Sequence, residues 1–294
     1  MAASVIDGRA ISAAIRAEVT ERVRALAARG VTPGLAAALV GDDEPSKIYV
    51  GGKQRACIEV GIHSNRLDLP GTISEADLVG EIRRLNDDRS VHGVLVQLPL
   101  PEHIDVLAIH EAISPAKDVD GLTPVSVGRM VRGEAGFLPC TPLGIVEMLV
   151  RSGIPIEHAE VVVLGRGQLV GMPLGIMLSQ KAPNANATVT LCHTGTRDVP
   201  AHTRRAEILV AAAGRPGTVT ADMVRPGATV VDVAVNRLPT GKLVGDVDYA
   251  AVSQVAGAIT PVPGGVGPMT IAMLLANTVT SAERTASLAG VAGR

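Results

Sequence analysis

Aromatic residues are almost missing from this chain of 294 residues, which holds one Phe, two Tyr and no Trp. Its cores must therefore be filled by Ala, Val, Leu and Ile, and 47% hydrophobic content against 19% charge predicts a folded protein long enough for two domains. Cysteine is sparse too. Cys57, Cys140 and Cys192 are odd in number and far apart, which excludes a disulfide framework or a CxxC metal site and suits a reducing cytosol. No apolar run reaches the length needed to span a membrane, and the N-terminal stretch lacks a signal peptide's basic region and long apolar core. The expected location is cytoplasmic. A net charge of −2 and a pI near 6.4 leave no basic footprint for nucleic acid. The seven His show no HxxxH or His/Cys spacing, so no metal is expected. Lysine is scarce, with five (Lys47, Lys53, Lys117, Lys181 and Lys242) against twenty-two Arg. Each retained Lys poses a question, because a buried Lys can lose its proton and an Arg in practice cannot.

The most informative stretch that is present runs from Val161 to Pro173, VVVLGRGQLVGMP. An apolar β-branched run fits a buried parallel strand, Gly165 and Gly167 break it, and Gly171 precedes the apolar LGIML. Strand, glycine turn and helix in this order open a dinucleotide-binding unit, where the backbone approaches a pyrophosphate seated on the next helix's first amides. The GxGxxxG spacing is one residue longer than the usual fingerprint, and an ordinary Gly-rich turn is the plain alternative. A second strand, Thr188 to His193, ends where an NAD site would place its ribose-binding acid. No Asp or Glu occurs from Val161 through Arg197, whereas Arg166, Lys181, Arg197, Thr194 and Thr196 do. Cations and hydroxyls suit a 2′-phosphate, so the cofactor is expected to be NADP.

Elsewhere the chain alternates helix and strand. Asp7 to Arg29 has helical spacing, 34–41 reads as a buried strand, and 46–61 as a helix ended by Gly61. Tyr49 and Lys53 on that helix share a face, although a half-buried ring beside a snorkelling Lys would look the same. Gly51 and Gly52 suggest close approach of another element or a ligand. A helix follows with Ser74 as N-cap, then a buried strand at 91–101 whose end carries Gln97. Ligands of open α/β sheets bind beyond such strand ends. The loop PAKDVDGLTP (115–124) places Asp118 and Asp120 on one side of an extended chain. A helix over 139–153 is predicted with Thr141 as N-cap and Pro142 at its first position. Two further strands, 207–214 and 228–235, lead to the stiff Pro/Gly loop and long apolar helix of 259–284.

Several segments together resemble the bifunctional methylenetetrahydrofolate dehydrogenase/cyclohydrolase family. They are SxxYVxxK at Ser46 to Lys53, GVLVQLPLP at Gly93 to Pro101, PxKDVDG at Pro115 to Gly121, PCTP at 139–142, GRGxxVGxP at 165–173 and TPVPGGVGPMT at 260–270. The resemblance implies an N-terminal α/β catalytic domain over 1–140, completed by a C-terminal helix (268–294) that returns to it. It implies a Rossmann-like NADP-binding domain over 141–267, with the active site in the cleft between the domains. Lys53 corresponds to the catalytic lysine, Tyr49 to the ring that orients the folate, Gln97 to the lysine's partner and Asp120 to the pteridine anchor. Leu98, Pro99, Asp118, Pro263, Gly264 and Gly265 join them as substrate contacts. NADP is expected at Gly165, Arg166, Gly167, Val170, Gly171, Pro173, His193, Thr194 and Val235. Gly167 stands where the family often has Ser, and Ala234 where a Gly is common. Tetrahydrofolate derivatives and a second copy of the chain are the implied partners. No GxxxxGK[ST] loop is present, so an ATP-dependent synthetase activity is not expected. A small-acid NADP dehydrogenase of related fold, or a catalytically silent folate- or nucleotide-binding protein, are the rival readings. Tyr49, Lys53 and the KDVDG loop count against the first, and retained Lys53, Gln97 and Asp120 against the second.

Overall fold

A computed structural model describes residues 2–292. In chain order the elements are β1 (Ser4–Val5), α1 (Gly8–Ala27), β2 (Gly34–Val40), α2 (Glu44–Val60), β3 (His63–Leu69), α3 (Glu75–Asp87), β4 (Gly93–Val96), α4 (Val106–Ala112) and α5 (Pro124–Arg132). There follow α6 (Cys140–Arg151), β5 (Glu160–Leu164), α7 (Gly171–Ser179), β6 (Thr188–Cys192), α8 (Val199–Thr203), β7 (Ile208–Ala211) and β8 (Thr229–Asp232). A hairpin of β9 (Asn236–Arg237) and β10 (Leu243–Val244), then α9 (Tyr249–Val252), β11 (Ala258–Ile259) and α10 (Val266–Ala292), completes the described chain. Residues 293 and 294 of the expected C-terminal helix lie outside the described residues.

Two compact units result, one of Ala14–Leu138 with Ile271 onward, the other of residues 1–13 with Pro139–Thr270. The first is built on a three-stranded parallel sheet in the order β3-β2-β4. Its centre, GLAAALV, is buried at every position, and Leu78, Ile82, Leu85 and Ile109 from α3 and α4 pack over Ala36, Ala38, Val94 and Val96. Small strand residues under branched helical ones fill this core without a ring. The C-terminal helix returns to this unit through side chains. Asn277 donates to Val119 O at 2.8 Å, Ser281 to Ala116 O at 3.0 Å, and Arg22 pairs with Glu283 by two hydrogen bonds.

The second unit is a six-stranded parallel sheet in the order β1-β11-β8-β7-β5-β6. From β5 the chain steps outward to β6 and then back across to β7, so a topological switch point lies between β5 and β7. The short β1 ties the N-terminal residues to this sheet, pairing in parallel with β11 through Ser4↔Ala258 and Val5↔Ile259.

Within 91–101 the strand covers Gly93–Val96 and stops at Gln97, ahead of the prolines at 99 and 101, which offer no ladder donors. Two local expectations need correction. Helix α6 starts at Cys140 with Pro139 at the cap position, and Thr141 turns its hydroxyl to that of Thr270 at 2.9 Å instead of capping. At Gly51 and Gly52 an added methyl would meet only ordinary contacts, Arg55 Nη1 at 3.6 Å and Ile271 Cδ1 at 3.9 Å. No neighbouring element requires those glycines.

Candidate active site

In the three-stranded unit, α2 is anchored at both ends. Asp43 accepts from Ser46 N at 2.9 Å, Pro45 occupies the first turn, and Gly61 closes the helix at a φ of 84°. Its inward face carries Val50, Ala56, Cys57 and Val60, and Lys53 lies among them at 5% exposure. Burying an ammonium is expensive unless it is paired. Here Lys53 Nζ donates to Gln97 Oε1 at 3.1 Å and sits 4.6 Å from the centre of the Tyr49 ring, one helical turn back. Gln97 in turn donates through Nε2 to Leu98 O at 2.6 Å, which leaves its carbonyl facing the lysine. Tyr49, Lys53, Gln97 and Leu98 are thus brought together. Cys57 is one turn further along, but burial pushes its thiol up to about 12 against the pull of the Lys53 charge, so it is no nucleophile.

The KDVDG loop is shaped by its own side chains. Lys117 donates to Leu85 O and Asp88 O at 3.0 and 2.7 Å, closing the end of α3. Val119 is fully buried, and a Cβ at Gly93 would stand 2.6 Å from its Cγ2. Asp118 departs from its expected extended geometry. The loop turns at Asp118–Gly121 instead of running extended, and the Asp118 carboxylate accepts from Gly121 N, Leu122 N and Thr123 N at 3.0, 3.2 and 2.9 Å. Its charge is spent on backbone amides. Asp120 stays half-buried at the turn. Both acids act on His110 of α4, whose proton affinity is lowered by burial and partly restored by their charges.

In the six-stranded unit a cavity of about 610 Å³ opens at the switch point. Gly165, Arg166, Gly167, His193 and Thr194 line it. Gly165 has a φ of 126°, and a Cβ there would stand 2.1 Å from Ala212 O; one at Gly171 would stand 2.2 Å from Gly165 O. Both positions demand glycine because backbone meets backbone. Gly167 has open space around it and no such demand. At the end of β6, Thr196 accepts from His193 N at 2.9 Å and Gly195 N donates to His193 Nδ1 at 3.0 Å. Thr196 is therefore occupied locally while Thr194 is exposed at the cavity.

Val170 and Gly171 form the start of α7, and Pro173 is buried in its first turn. Together with Val235, these stand outside the cavity lining. The rest of the lining, not expected from the sequence, is the loop after β7, with Ala212, Ala213, Arg215, Pro216, Gly217 and Thr218, together with Met223 and Val199. The signal lay in a second strand end followed by Gly-Arg-Pro-Gly.

A glycine cradle at a switch point, lined also by two arginines and the exposed Thr194, fits a phosphorylated dinucleotide. The Pro263, Gly264 and Gly265 stretch also belongs to this unit. Gly264 and Gly265 are buried against Arg9 and Thr260, and a Cβ on Gly8 would stand 1.9 Å from Gly265 O. Their small size is first of all a packing requirement.

Comparison with known proteins decides the family. The tetrahydrofolate dehydrogenase/cyclohydrolase family models match twice, the catalytic domain over residues 6–120 and the NAD(P)-binding domain over 139–286. The chain belongs to this family. It is 53% identical over 289 residues to the bifunctional protein FolD of Burkholderia multivorans, covering 98% of this chain and 100% of that protein. The solved FolD methylenetetrahydrofolate dehydrogenase/cyclohydrolase of Campylobacter jejuni superposes with a TM-score of 0.94 at 48% identity, over 96% of this chain and 99% of the other. The Trypanosoma brucei methylenetetrahydrofolate dehydrogenase-cyclohydrolase, solved with NADP and an inhibitor, gives a TM-score of 0.91 at 40% identity, with coverage of 97% and 98%. The family's NAD(P)-binding domain contains the cavity at β5 and β7, and its catalytic domain contains the Lys53 cluster. Among the described residues, no helix is long and apolar enough to cross a membrane.

Proposed function

We propose that the chain oxidises 5,10-methylenetetrahydrofolate to 5,10-methenyltetrahydrofolate with NADP and then hydrolyses that product to 10-formyltetrahydrofolate. The observation that carries this reading is the buried Lys53 amine, held between the Gln97 carbonyl and the Tyr49 ring in a chain of this family. Hydrolysis adds water to the one-carbon bridge of the methenyl cation and breaks the bond from carbon to N5; the water loses both protons as its oxygen becomes the formyl oxygen, one ending on N5 and one released to solvent. A lysine can give and take a proton in a buried setting, and Gln97 fixes its direction by accepting one N–H. Tyr49 offers a flat face against which a pteridine stacks. Asp120 is the proposed hydrogen-bond anchor for the pteridine, and Leu98, Pro99 and the 263–265 loop its proposed neighbours.

NADP, when bound, supplies the hydride acceptor. The residues proposed to hold it are Gly165, Arg166, Gly167 and Thr194, with the amides that open α7 beneath its pyrophosphate. Arg166 and Thr194 are the proposed 2′-phosphate contacts. Oxidation asks these residues only for alignment of two bound molecules. A cytoplasmic homodimer is the form we propose, supported by the family and by three buried free thiols that suit a reducing compartment.

The direct test mixes purified protein, methylenetetrahydrofolate and NADP and follows the absorbance of the methenyl product. Its rise and subsequent decay are expected; no methenyl product with NADP refutes the dehydrogenase reading. Asp120→Asn is expected to impair both activities while NADP binding, read by calorimetry, stays intact. Loss of NADP binding in that variant would move Asp120 out of the folate site.

A further inference from the structure

Beneath the unforeseen wall of the nucleotide cavity lies a carboxylate that no step above uses. Asp246 is fully buried, and its Oδ2 accepts from Ala213 N at 2.6 Å and Gly214 N at 2.9 Å. Its Oδ1 accepts from Arg215 N at 2.7 Å and Asn236 Nδ2 at 3.0 Å. Three consecutive amides converging on one point form the kind of concave nest that binds anions. Here the chain fills the nest from within.

Asp246 is itself gripped. Its amide donates to Asp232 Oδ1 at 2.9 Å, its carbonyl accepts from Val219 N at 3.1 Å, and Val247 N donates to Asp232 Oδ2 at 3.1 Å. The approach is close enough that a Cβ at Gly245 would stand 1.8 Å from Asp232 Oδ2. Two buried acids thus fix the loop that supplies Ala213, Arg215 and Thr218 to the cavity.

We infer that Asp246 is a positioning residue for the nucleotide: its carboxylate sets the conformation of residues 213–215 and thereby holds Arg215 as a second cation at the cavity, besides Arg166. This rests on the NADP reading and deepens it. Hydrogen bonds to a carboxylate are roughly twice as strong as neutral ones, so the loop is held firmly without touching the ligand through Asp246 at all.

The test is calorimetric titration of NADP into the full-length Asp246→Asn variant, which replaces one acceptor by a donor facing amide donors. The dissociation constant is expected to rise about tenfold or more, the scale of a disrupted charge-assisted contact. The KM for NADP should follow it, with kcat at saturating NADP within about twofold, a split that a loss of stability alone would not produce. Gly214→Ala is the second variant, for the case that Asp246→Asn does not fold. Gly214 has a φ of 71° and open space around it, so a methyl strains only the loop backbone. It is expected to weaken NADP several-fold. An unchanged dissociation constant in folded Asp246→Asn, or in Gly214→Ala should the former not fold, overturns the inference. Wild-type protein that binds NADP but turns over no folate refutes the functional reading instead, and leaves this binding test standing.

Discussion

In the three-stranded unit the candidate chemistry is carried by side chains, and in the six-stranded unit by backbone. Lys53, Tyr49 and Gln97 come from a helix and a strand end, and their geometry is set by contacts among their own functional atoms. The nucleotide cavity is shaped by Gly165, where a side chain is forbidden, and by a loop whose amides bind a carboxylate beneath them. The difference follows from the tasks. Proton transfer needs a titratable group at a chosen point, whereas a dinucleotide needs a surface its phosphates can approach. A single side-chain deletion should therefore be severe in the first unit and graded in the second.

The largest effect is expected at Lys53. Lys53→Met keeps length and apolar contact but deletes the ionisable group, so cyclohydrolase activity should fall by about a hundredfold or more, the usual scale for a lost general acid or base. Dehydrogenase activity should survive in part, and methenyltetrahydrofolate should accumulate visibly. Hydrolysis at the wild-type rate would mean that Lys53 is only a packed helix residue.

Arg166 probes the other side of the comparison. Arg166→Ala should weaken NADP by about tenfold, as loss of a charged hydrogen bond does, and NAD by no more than about twofold. The cavity's glycine cradle stays in place in this variant, so binding should degrade and not vanish. Equal weakening of both cofactors would remove Arg166 from the 2′-phosphate site.

The same contrast explains what could be read without coordinates. Side chains that carry chemistry announce themselves by type and spacing: Tyr49 and Lys53 at one helical turn, Gln97 at a strand end. The Gly165 to Gly171 turn was legible because glycine is itself a signal of backbone geometry. Asp118 and Asp120 were not separable, since an extended reading puts them on one side and only the turn at Gly121 sends Asp118 to the amides. Thr141 looked like a cap because the pattern Thr-Pro suits one, yet its partner is Thr270, far along the chain. The two-residue strand at Ser4 is too short to show any period, so its pairing with β11 has no trace in the sequence. Asp246 escaped notice entirely. An acid that acts by collecting distant amides has no local signature.

The smallest effect tests how far the backbone-built cavity rests on buried charge. The Asp232 carboxyl is pushed up to about 6, chiefly by burial and further by the charge of Asp246, against the two amides that donate to it. Folding therefore takes up a proton between the ordinary carboxylate range and pH 6. The resulting stabilisation is complete below pH 4 and is lost as pH rises through 6. Asp43 and Asp88, held low by Ser46 and Ser90, contribute in the opposite sense, so total stability is a poor readout. The difference between wild type and Asp232→Asn isolates the group. That difference should favour wild type more at pH 5 than at pH 7.5, by about 1 kcal/mol in urea unfolding, because only wild type gains from protonation. A difference independent of pH would mean that Asp232 is ionised throughout. The two acids under the cavity would then be a charged pair held apart by amides alone.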